Sequence, residues 1–389
     1  MQIALLRTLA TSEFGVFSFM LTLVQFGYSV SNALIATPYT VLANQHDGQE
    51  AEGRVFFAVN ALFALAWGGF CAGGAIVLGQ DHAAPVFGLL GTLSMIRWFG
   101  RAHLYALHKP TQAATSDLLY AMTLLVFLGL AWFTHLSMVK AALVFCAALI
   151  VGLCVLGRDY WGYQYRGLIH GRLGRYAKVW REQSRWTLLG VVTSEATANA
   201  HSYLVTFFAG PAAFAPLAAA SLFLKPVPMV VTSLTQLERP VMARALSSGN
   251  LAAALHANRL FRISVLVVWA ATVMVGSCVL TWDPKLLLKT SYGISTVEIA
   301  FLFWAAIAFL QSWSTSDSVL LQAAGRFQVL AQVGVAAALV SILGVTVMLL
   351  SIGPVYSLAG ILLGQAVVST GIIRLCHTWK TSYAPIAAV

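Results

Sequence analysis

The sequence is dominated by apolar runs about as long as the thickness of a lipid bilayer. A helix needs about 20 residues to cross a hydrocarbon core roughly 30 Å thick. About eleven runs approach or exceed this length: 14–42, 54–78, 85–107, 118–138, 141–156, 187–209, 214–237, 263–282, 297–313, 329–352 and 355–375. Because lipid offers no hydrogen bonds to the backbone, such runs predict helices. We therefore expect an all-α integral membrane protein with about eleven transmembrane helices.

Charge and cysteine usage exclude several functions that a basic chain would otherwise suggest. The chain is 59% hydrophobic and only 9% charged, and its formal charge of +10 lies mainly between the apolar runs. The cations therefore orient the spans, and no nucleic-acid partner is expected. The five cysteines lie within apolar runs without metal-ligand spacing, so we expect no disulfide framework, no metal and no cofactor.

The basic stretch 158–185 divides the chain. Its arginines and lysines are interleaved with tryptophans and tyrosines, which is typical of a segment that lies on the cytoplasmic membrane surface and contacts membrane lipids. We predict an N-terminal helical bundle over 1–157, a basic amphipathic linker over 158–186 and a C-terminal bundle over 187–389. Alternating the spans outward from the linker places the C-terminus in the cytoplasm and the N-terminus outside. The outside then receives few cations, namely Arg7, Lys140, Lys285 and Lys289.

The two halves of the chain look like a weak parallel repeat, offset by about 200 residues. Phe14 aligns with Phe214, and Gln25 aligns with Lys225. At that offset the run 187–209 would need a partner before the first residue, so we expect that the first helix of the N-terminal bundle is missing. Chance matching of apolar runs is the alternative. The repeat predicts two pseudo-symmetric bundles.

Two segments resemble a known superfamily. The opening RTLATSEFGVFSFMLTLVQFG resembles the segment joining the first two helices of bacterial polysaccharide flippases, in which a glycine after an acidic-aromatic pair opens the second helix, here Gly15 after Glu13 and Phe14. Residues 97–120, RWFGRAHLYALHKPTQAATSDLLY, are similar to the arginine-rich end of the fourth helix and the following loop of polysaccharide-biosynthesis members. The superfamily is that of the multidrug/oligosaccharidyl-lipid/polysaccharide flippases.

The resemblance implies a fold and a function. The fold would be two six-helix bundles around a central cavity, here without the first helix. The function would be alternating-access transport of a polyprenyl-diphosphate-linked oligosaccharide across the bacterial cytoplasmic (inner) membrane, for polysaccharide biosynthesis.

Ionisable side chains within apolar runs are the candidate site residues, because each costs roughly 2.5–3.5 kcal/mol to insert. Lys225, next to two prolines, would bind the diphosphate. Arg97 and Arg101 would receive it at the cytoplasmic end of their helix, although topology alone explains them nearly as well. Gln25 and Asn32 share a helical face and would line the cavity.

A second group of polar residues follows one face of the run 187–209. Glu195 and Asn199 would line a cavity or couple transport to H⁺ or Na⁺, unless Glu195 merely balances Lys225. His201 could belong to the same group, but is more simply explained as a hydrogen-bonded packing residue.

Several other functions are compatible with a chain of this composition. An ion-coupled drug or metabolite antiporter, an inactive or truncated relative and a membrane-embedded glycan ligase or acyltransferase remain as alternatives. No catalytic motif is present, so no enzyme is expected.

Asp317 is expected to cap a helix. The glycine pairs at 69 and 73 and at 360 and 364 are expected to let helices approach closely.

Overall fold

The structure is a computed structural model that describes residues 2–40, 50–107, 109–131, 137–171, 173–282 and 293–383. Contacts between Cα atoms divide the chain into two compact units, Met1–Val192 and Thr193–Val389. The α-helices that begin in the first unit are α1 (Gln2–Thr8), α2 (Thr11–Ser31), α3 (Glu50–Val77), α4 (Ala84–Ala106), α5 (Pro110–Ala131), α6 (Met138–Cys154), α7 (Gly157–His170), α8 (Tyr176–Val179) and α9 (Arg185–Phe208). Those of the second unit are α10 (Pro211–Leu222), α11 (Pro226–Ser247), α12 (Leu251–Trp282), α13 (Ile294–Ala323), α14 (Phe327–Ser351) and α15 (Ser357–Tyr383). Two π-helices, Asn32–Ala36 and Trp180–Ser184, interrupt the first unit.

The predicted all-α membrane class is confirmed. Within its described residues, each predicted run coincides with one helix or with two helices that meet at a break. By length and composition alone, six described helices can cross a membrane, or up to eight if each of two bent pairs counts as one span. The six are Thr11–Thr40, Gly53–Val77, Leu251–Trp282, Ile294–Ala323, Gln328–Ser351 and Ser357–Ser382. The loop lysines Lys285 and Lys289 lie outside the described residues.

The order of helices repeats along the chain. Helix α1 ends at Thr8 and α2 begins at Thr11, whereas α9 ends at Phe208 and α10 begins at Pro211. The helix end moves from position 8 to 208 and the next helix start from position 11 to 211, so both boundaries are displaced by 200 residues. This is the offset at which the sequence pattern repeats.

An aromatic cluster forms much of the core of the first unit. Phe57 of α3 contacts the rings of Phe99 and His103 on α4 and of Tyr160 on α7. The Tyr39 hydroxyl hydrogen-bonds His103 Nδ1 at 2.7 Å. These contacts fix α3, α4 and α7 against one another and bury the polar atoms with partners.

Close helix approach in the second unit follows one of the two predicted glycine pairs. A Cβ on Gly360 would collide with the backbone of Gly344 and Val345, and a Cβ on Gly364 would collide with the Ser341 side chain. Helices α14 and α15 therefore touch at this pair, as predicted.

The prediction for the other glycine pair is wrong. A Cβ on Gly69 or Gly73 would meet no atom of the described residues within 4 Å. Helix α3 instead contacts α4 one residue earlier, where a Cβ on Gly68 would lie 2.7 Å from the carbonyl oxygen of Gly88. The four-residue spacing of Gly69 and Gly73 therefore lies on a face of α3 next to the one that contacts α4.

The expectation that Asp317 caps a helix is also wrong. Asp317 lies within α13, which continues to Ala323. Its buried carboxylate accepts hydrogen bonds from Arg262 of α12 at 2.5 Å and from Asn258 at 2.9 Å. Lys380 of α15 lies 3.7 Å away. Asp317 therefore joins three helices through charge.

Candidate functional site

In the first unit, two arginines of α4 share one carboxylate of α5. Arg97 Nη2 lies 2.5 Å from Asp117 Oδ1, and Arg101 Nη2 lies 2.8 Å from Asp117 Oδ2. Arg97 also lies over the Tyr120 ring, 4.4 Å from its centroid. Positions 97 and 101 are one helical turn apart, so both guanidinium groups point to the same neighbour. We call Arg97, Arg101, Asp117 and Tyr120 the arginine cluster.

The arginine cluster keeps a net positive charge and unused hydrogen-bond donors. Two guanidinium groups face one carboxylate, which leaves one positive charge. The side chain of Arg97 is only 9% exposed, whereas that of Asp117 is 37% exposed. Nε of Arg97 and of Arg101 is buried, with no hydrogen-bond partner in the described part of the chain. The remaining positive charge could bind an anion beside Asp117, and an anion that displaced Asp117 would leave this 37% exposed carboxylate to water.

An aromatic stack connects the arginine cluster to the first span. Arg101 lies over the Trp98 ring at 5.3 Å, and Trp98 stacks on Tyr28 of α2 at 4.6 Å. Trp98 Nε1 donates to Asn32 Oδ1 at 3.3 Å. Asn32, predicted to line a cavity, therefore lies beside the arginines. Gln25 is exposed on α2, and no described side-chain contact connects it to this group.

In the second unit, Lys225 lies at a break in a membrane-spanning segment. It is the last of three residues between α10 and α11, whose axes differ by 59°. Pro226 follows at the first position of α11, where a missing backbone N–H is tolerated. The Lys225 side chain is half-buried. No hydrogen bond or ion pair connects its ammonium to the described residues, and Glu195 does not balance it.

Glu195 forms a local polar group on α9. Its Oε1 accepts a hydrogen bond from the Tyr203 hydroxyl at 2.6 Å, and Asn199 lies one helical turn further along the same face. Glu195 and Asn199 are half-buried. No basic side chain pairs with this carboxylate among the residues that the structure describes.

His201 faces the core of the second unit rather than this polar group. It is 2% exposed, and its ring packs edge-on against Trp304 at 5.0 Å. Its Nε2 lies 3.1 Å from Ser202 Oγ, whereas its Nδ1 is buried with no partner among the described residues. In this arrangement the ring mainly contributes packing.

Sequence reasoning identified the arginines but missed their partners. Asp117 is the single acidic residue in the stretch 97–120. An arginine pair inside an apolar helix needs a counter-ion, and this rule applied to the stretch would have selected Asp117. Trp98 and Tyr28 carried no comparable signal, because aromatic residues are frequent in all the runs.

No group of three or more His, Cys, Asp or Glu side chains that could hold a metal ion occurs among the described residues. The candidate functional groups of the two units are the cations Arg97, Arg101 and Lys225, the carboxylates Asp117 and Glu195, and aromatic rings. Such groups can bind charged or aromatic ligands.

Comparisons with known proteins identify the fold. No protein-family model matches the chain, and no curated protein matches it by sequence. The chain is similar in structure to an inward-facing multidrug resistance MATE family transporter of the MOP superfamily, with a TM-score of 0.71 at 11% identity over 99% of this chain and 94% of that one. An outward-facing transporter of that description matches with a TM-score of 0.58 at 13% identity, over 99% and 92% of the two chains.

A third similar structure is of special interest because of its binding pocket. It is a MOP superfamily transporter from Pyrococcus furiosus, described as having a pocket of reverse polarity that suggests a different function. It matches with a TM-score of 0.54 at 13% identity, over 98% of this chain and 88% of that one. At these identities the likeness establishes the fold, which is the two-bundle fold of MATE transporters.

Proposed function

We propose that this chain is an alternating-access membrane transporter that moves an anionic lipid, a polyprenyl-diphosphate-linked oligosaccharide, across the bacterial cytoplasmic membrane. The observation that carries the proposal is the half-buried ammonium of Lys225, which no described acid neutralises. The fold is shared with solved transporters, and we propose no enzymatic activity.

The energetics of Lys225 favour an anionic ligand. A lysine at the centre of a span costs roughly 2.5–3.5 kcal/mol to insert. A diphosphate that crosses the same low-dielectric region has a desolvation cost of its own. If the two bind each other, each offsets the cost of the other. A lysine that served only the fold would instead be expected to pair with an acid, as Lys380 does with Asp317.

The arginine cluster supports the same ligand class. Arginine binds phosphate oxygens through two parallel N–H donors. Phosphate oxygens could replace the half-exposed Asp117 carboxylate as the partner of Arg101. When the ligand leaves, Asp117 would pair with Arg101 again. The carboxylate would then favour release, while the arginines favour capture.

A second function is favoured by a different observation. Glu195 is a half-buried carboxylate that accepts a hydrogen bond from Tyr203, with no basic partner among the described residues. Such a group could bind an organic cation, H⁺ or Na⁺, as an ion-coupled drug antiporter requires. Solved structures with this fold include proteins described as multidrug resistance transporters.

A transport assay with two substrates separates these functions. The protein would be reconstituted into vesicles and offered a fluorescent polyprenyl-diphosphate sugar in one experiment and an aromatic organic cation in another. We expect protein-dependent movement of the lipid and a loss of about 10-fold to 100-fold in Lys225→Gln, because a hydrogen bond to a charged group contributes roughly 1.5–3 kcal/mol.

The conservative variant provides the control. Lys225→Arg keeps the charge and should retain most of the transport. Movement of the cation but not of the lipid would reject the lipid proposal in favour of the antiporter, and full lipid transport by Lys225→Gln would reject the role of Lys225.

A further inference from the structure

Helix α7 lies nearly perpendicular to the apolar helix before it. Helix α6 has 17 residues and is about 26 Å long at 1.5 Å per residue, close to the thickness of a hydrocarbon core. The axes of α6 and α7 differ by 100°. Gly157, with φ at +84°, occupies the bend, a conformation that glycine adopts without strain. If α6 crosses the membrane, α7 lies close to the plane of the membrane surface.

One face of α7 packs against the protein. The Tyr160 hydroxyl donates to the carbonyl oxygen of Ile96 at 2.9 Å, and Gln164 Nε2 donates to the carbonyl oxygen of Phe57 at 3.0 Å. A Cβ on Gly167 would collide with Phe57. Positions 160, 164 and 167 follow helical spacing, so this face is fixed, and the outward face begins one residue, about 100°, further round the helix.

The outward face combines apolar side chains with arginines. Trp161, Tyr165 and Leu168 follow the same i, i+4, i+7 spacing and are exposed, with Tyr165 at 67%. Arg158 and Arg166 are also exposed and lie further round the helix, Arg158 next to this stripe and Arg166 with its guanidinium over the Tyr163 ring, 5.8 Å from its centroid. Amphipathic rings beside basic residues fit the boundary between acyl chains and phosphate headgroups.

We propose that the outward face of α7 is a docking surface for anionic phospholipids. Its apolar stripe enters the acyl boundary, and Arg158 and Arg166 bind headgroup phosphates. Exposed cations continue beyond α7 at Arg175, Lys178 and Arg181, so the charge of the surface complements an anionic leaflet. This proposal does not depend on what the protein transports.

Fluorescence quenching by brominated lipids tests the docking surface. The protein would be reconstituted with phosphatidylcholine or phosphatidylglycerol carrying bromine near the headgroup, at equal molar fractions. The signal of Trp161 is the difference between the parent and Trp161→Phe. We expect this signal to be quenched, and more strongly by the brominated phosphatidylglycerol. The double variant Arg158→Gln, Arg166→Gln should lose the difference between the two lipids.

The matched control removes a cation elsewhere. Arg259 is an exposed arginine of α12, and Arg259→Gln should leave the Trp161 signal unchanged. A Trp161 signal that neither lipid quenches, or that both quench equally in the parent, would overturn the proposal.

A separate observation concerns the segment that follows α7. The Tyr176 hydroxyl lies 2.6 Å from the carbonyl oxygen of Leu34, and Ser184 Oγ lies 3.2 Å from the same oxygen. The two hydroxyls are 3.2 Å apart. Leu34 belongs to the π-helix Asn32–Ala36, where the wider turn disturbs the regular backbone bonding, and such turns are frequent at functional sites.

This π-helix also carries Asn32, the residue that accepts the hydrogen bond from Trp98 beside Arg101. The linker and the arginine cluster are thus attached to the same turn of the first span. Burial raises the pKa of the Tyr176 phenol, so its hydroxyl remains a hydrogen-bond donor at neutral pH.

We infer that Tyr176 and Ser184 are positioning residues that hold the π-helix and so keep Asn32 in contact with Trp98, beside the arginine cluster. Conversion of the π-helix to an α-helix would change the register by one residue and rotate the preceding side chains by about 100°. Asn32 would then leave Trp98. The effect of this positioning on binding of the transported anion rests on the proposed function. The structural role of Tyr176 and Ser184 does not, and the following test measures only that role.

Hydrogen exchange tests the positioning role. In Tyr176→Phe, amide exchange across residues 28–40 should become about 2-fold to 10-fold faster, because one hydrogen bond contributes roughly 0.5–1.5 kcal/mol. Tyr163→Phe removes a neighbouring hydroxyl that makes no hydrogen bond to the described residues, and should exchange like the parent. Equal exchange rates in all three proteins, or equal acceleration in both variants, would overturn the inference.

Discussion

Replacing Asp317 by Asn tests how charge holds the second unit together. The carboxylate is 5% exposed, and it faces Arg262 at 2.5 Å and Lys380 at 3.7 Å. Asn has nearly the same shape, so the change removes charge without opening a cavity. The two cations then lie in a low-dielectric region without an acid among the described residues.

The expected loss of stability follows from burial. Removing one partner of a fully buried ion pair costs roughly 3–5 kcal/mol. Because the side chains of Arg262 and Lys380 are 25% and 33% exposed, water screens part of the uncompensated charge. We therefore expect Asp317→Asn to lower the free energy of unfolding by about 2–3 kcal/mol. Reversible unfolding in mixed micelles measures this quantity.

A double-mutant cycle shows whether the loss comes from the stranded charge. Arg262→Gln combined with Asp317→Asn should cost less than the sum of the two single changes, by at least about 1 kcal/mol. Glu298→Gln is the matched control, because Glu298 is an exposed carboxylate on the same helix. An Asp317→Asn protein within about 0.5 kcal/mol of the parent would refute the reasoning.

Three further predictions follow from individual contacts. Gly360→Ala should destabilise the second unit by about 1–3 kcal/mol in the same unfolding assay, because its Cβ meets the backbone of α14. A Cβ at Gly69 meets no described atom within 4 Å, so Gly69→Ala should be close to neutral. Equal effects of the two changes would contradict the close contact of α14 and α15. Glu195→Gln should change the ion or pH dependence of transport while leaving the amount of protein in the membrane unchanged, and an unaltered dependence would remove its coupling role. Asp117→Asn should leave the transported anion bound more tightly and released more slowly, as single-turnover kinetics would show, and faster release would contradict a competing carboxylate.

The helices could be predicted from the sequence, because membrane thickness and backbone hydrogen bonding leave few alternatives for long apolar runs. The described parts of the runs 214–237 and 14–42 are helical, as their length and composition predict. The break at Lys225 is explained by the two prolines that follow it. The π-helix Asn32–Ala36 carried no signal, because its residues suit an α-helix equally well.

The partners of charged residues were harder to predict, because they depend on which helix faces meet. Asp317 lies in a sequence that resembles a helix end, yet α13 continues past it. The spacing of Gly69 and Gly73 matched a contact motif, but Gly68 makes the contact. A pattern within one helix does not show which face meets another helix, and so the pairing of Arg97 and Arg101 with Asp117 required the tertiary structure.

Equilibrium binding of a polyprenyl diphosphate, compared with the matching polyprenyl alcohol, tests the central claim most directly. The purified protein would be titrated in nanodiscs, with Lys225→Gln and Lys225→Arg alongside the parent. We predict that the parent and Lys225→Arg bind the diphosphate at least about tenfold more tightly than the alcohol, which corresponds to 1.4 kcal/mol, and that Lys225→Gln loses this preference. The same preference in all three proteins would contradict the claim that the ammonium of Lys225 recognises the transported anion.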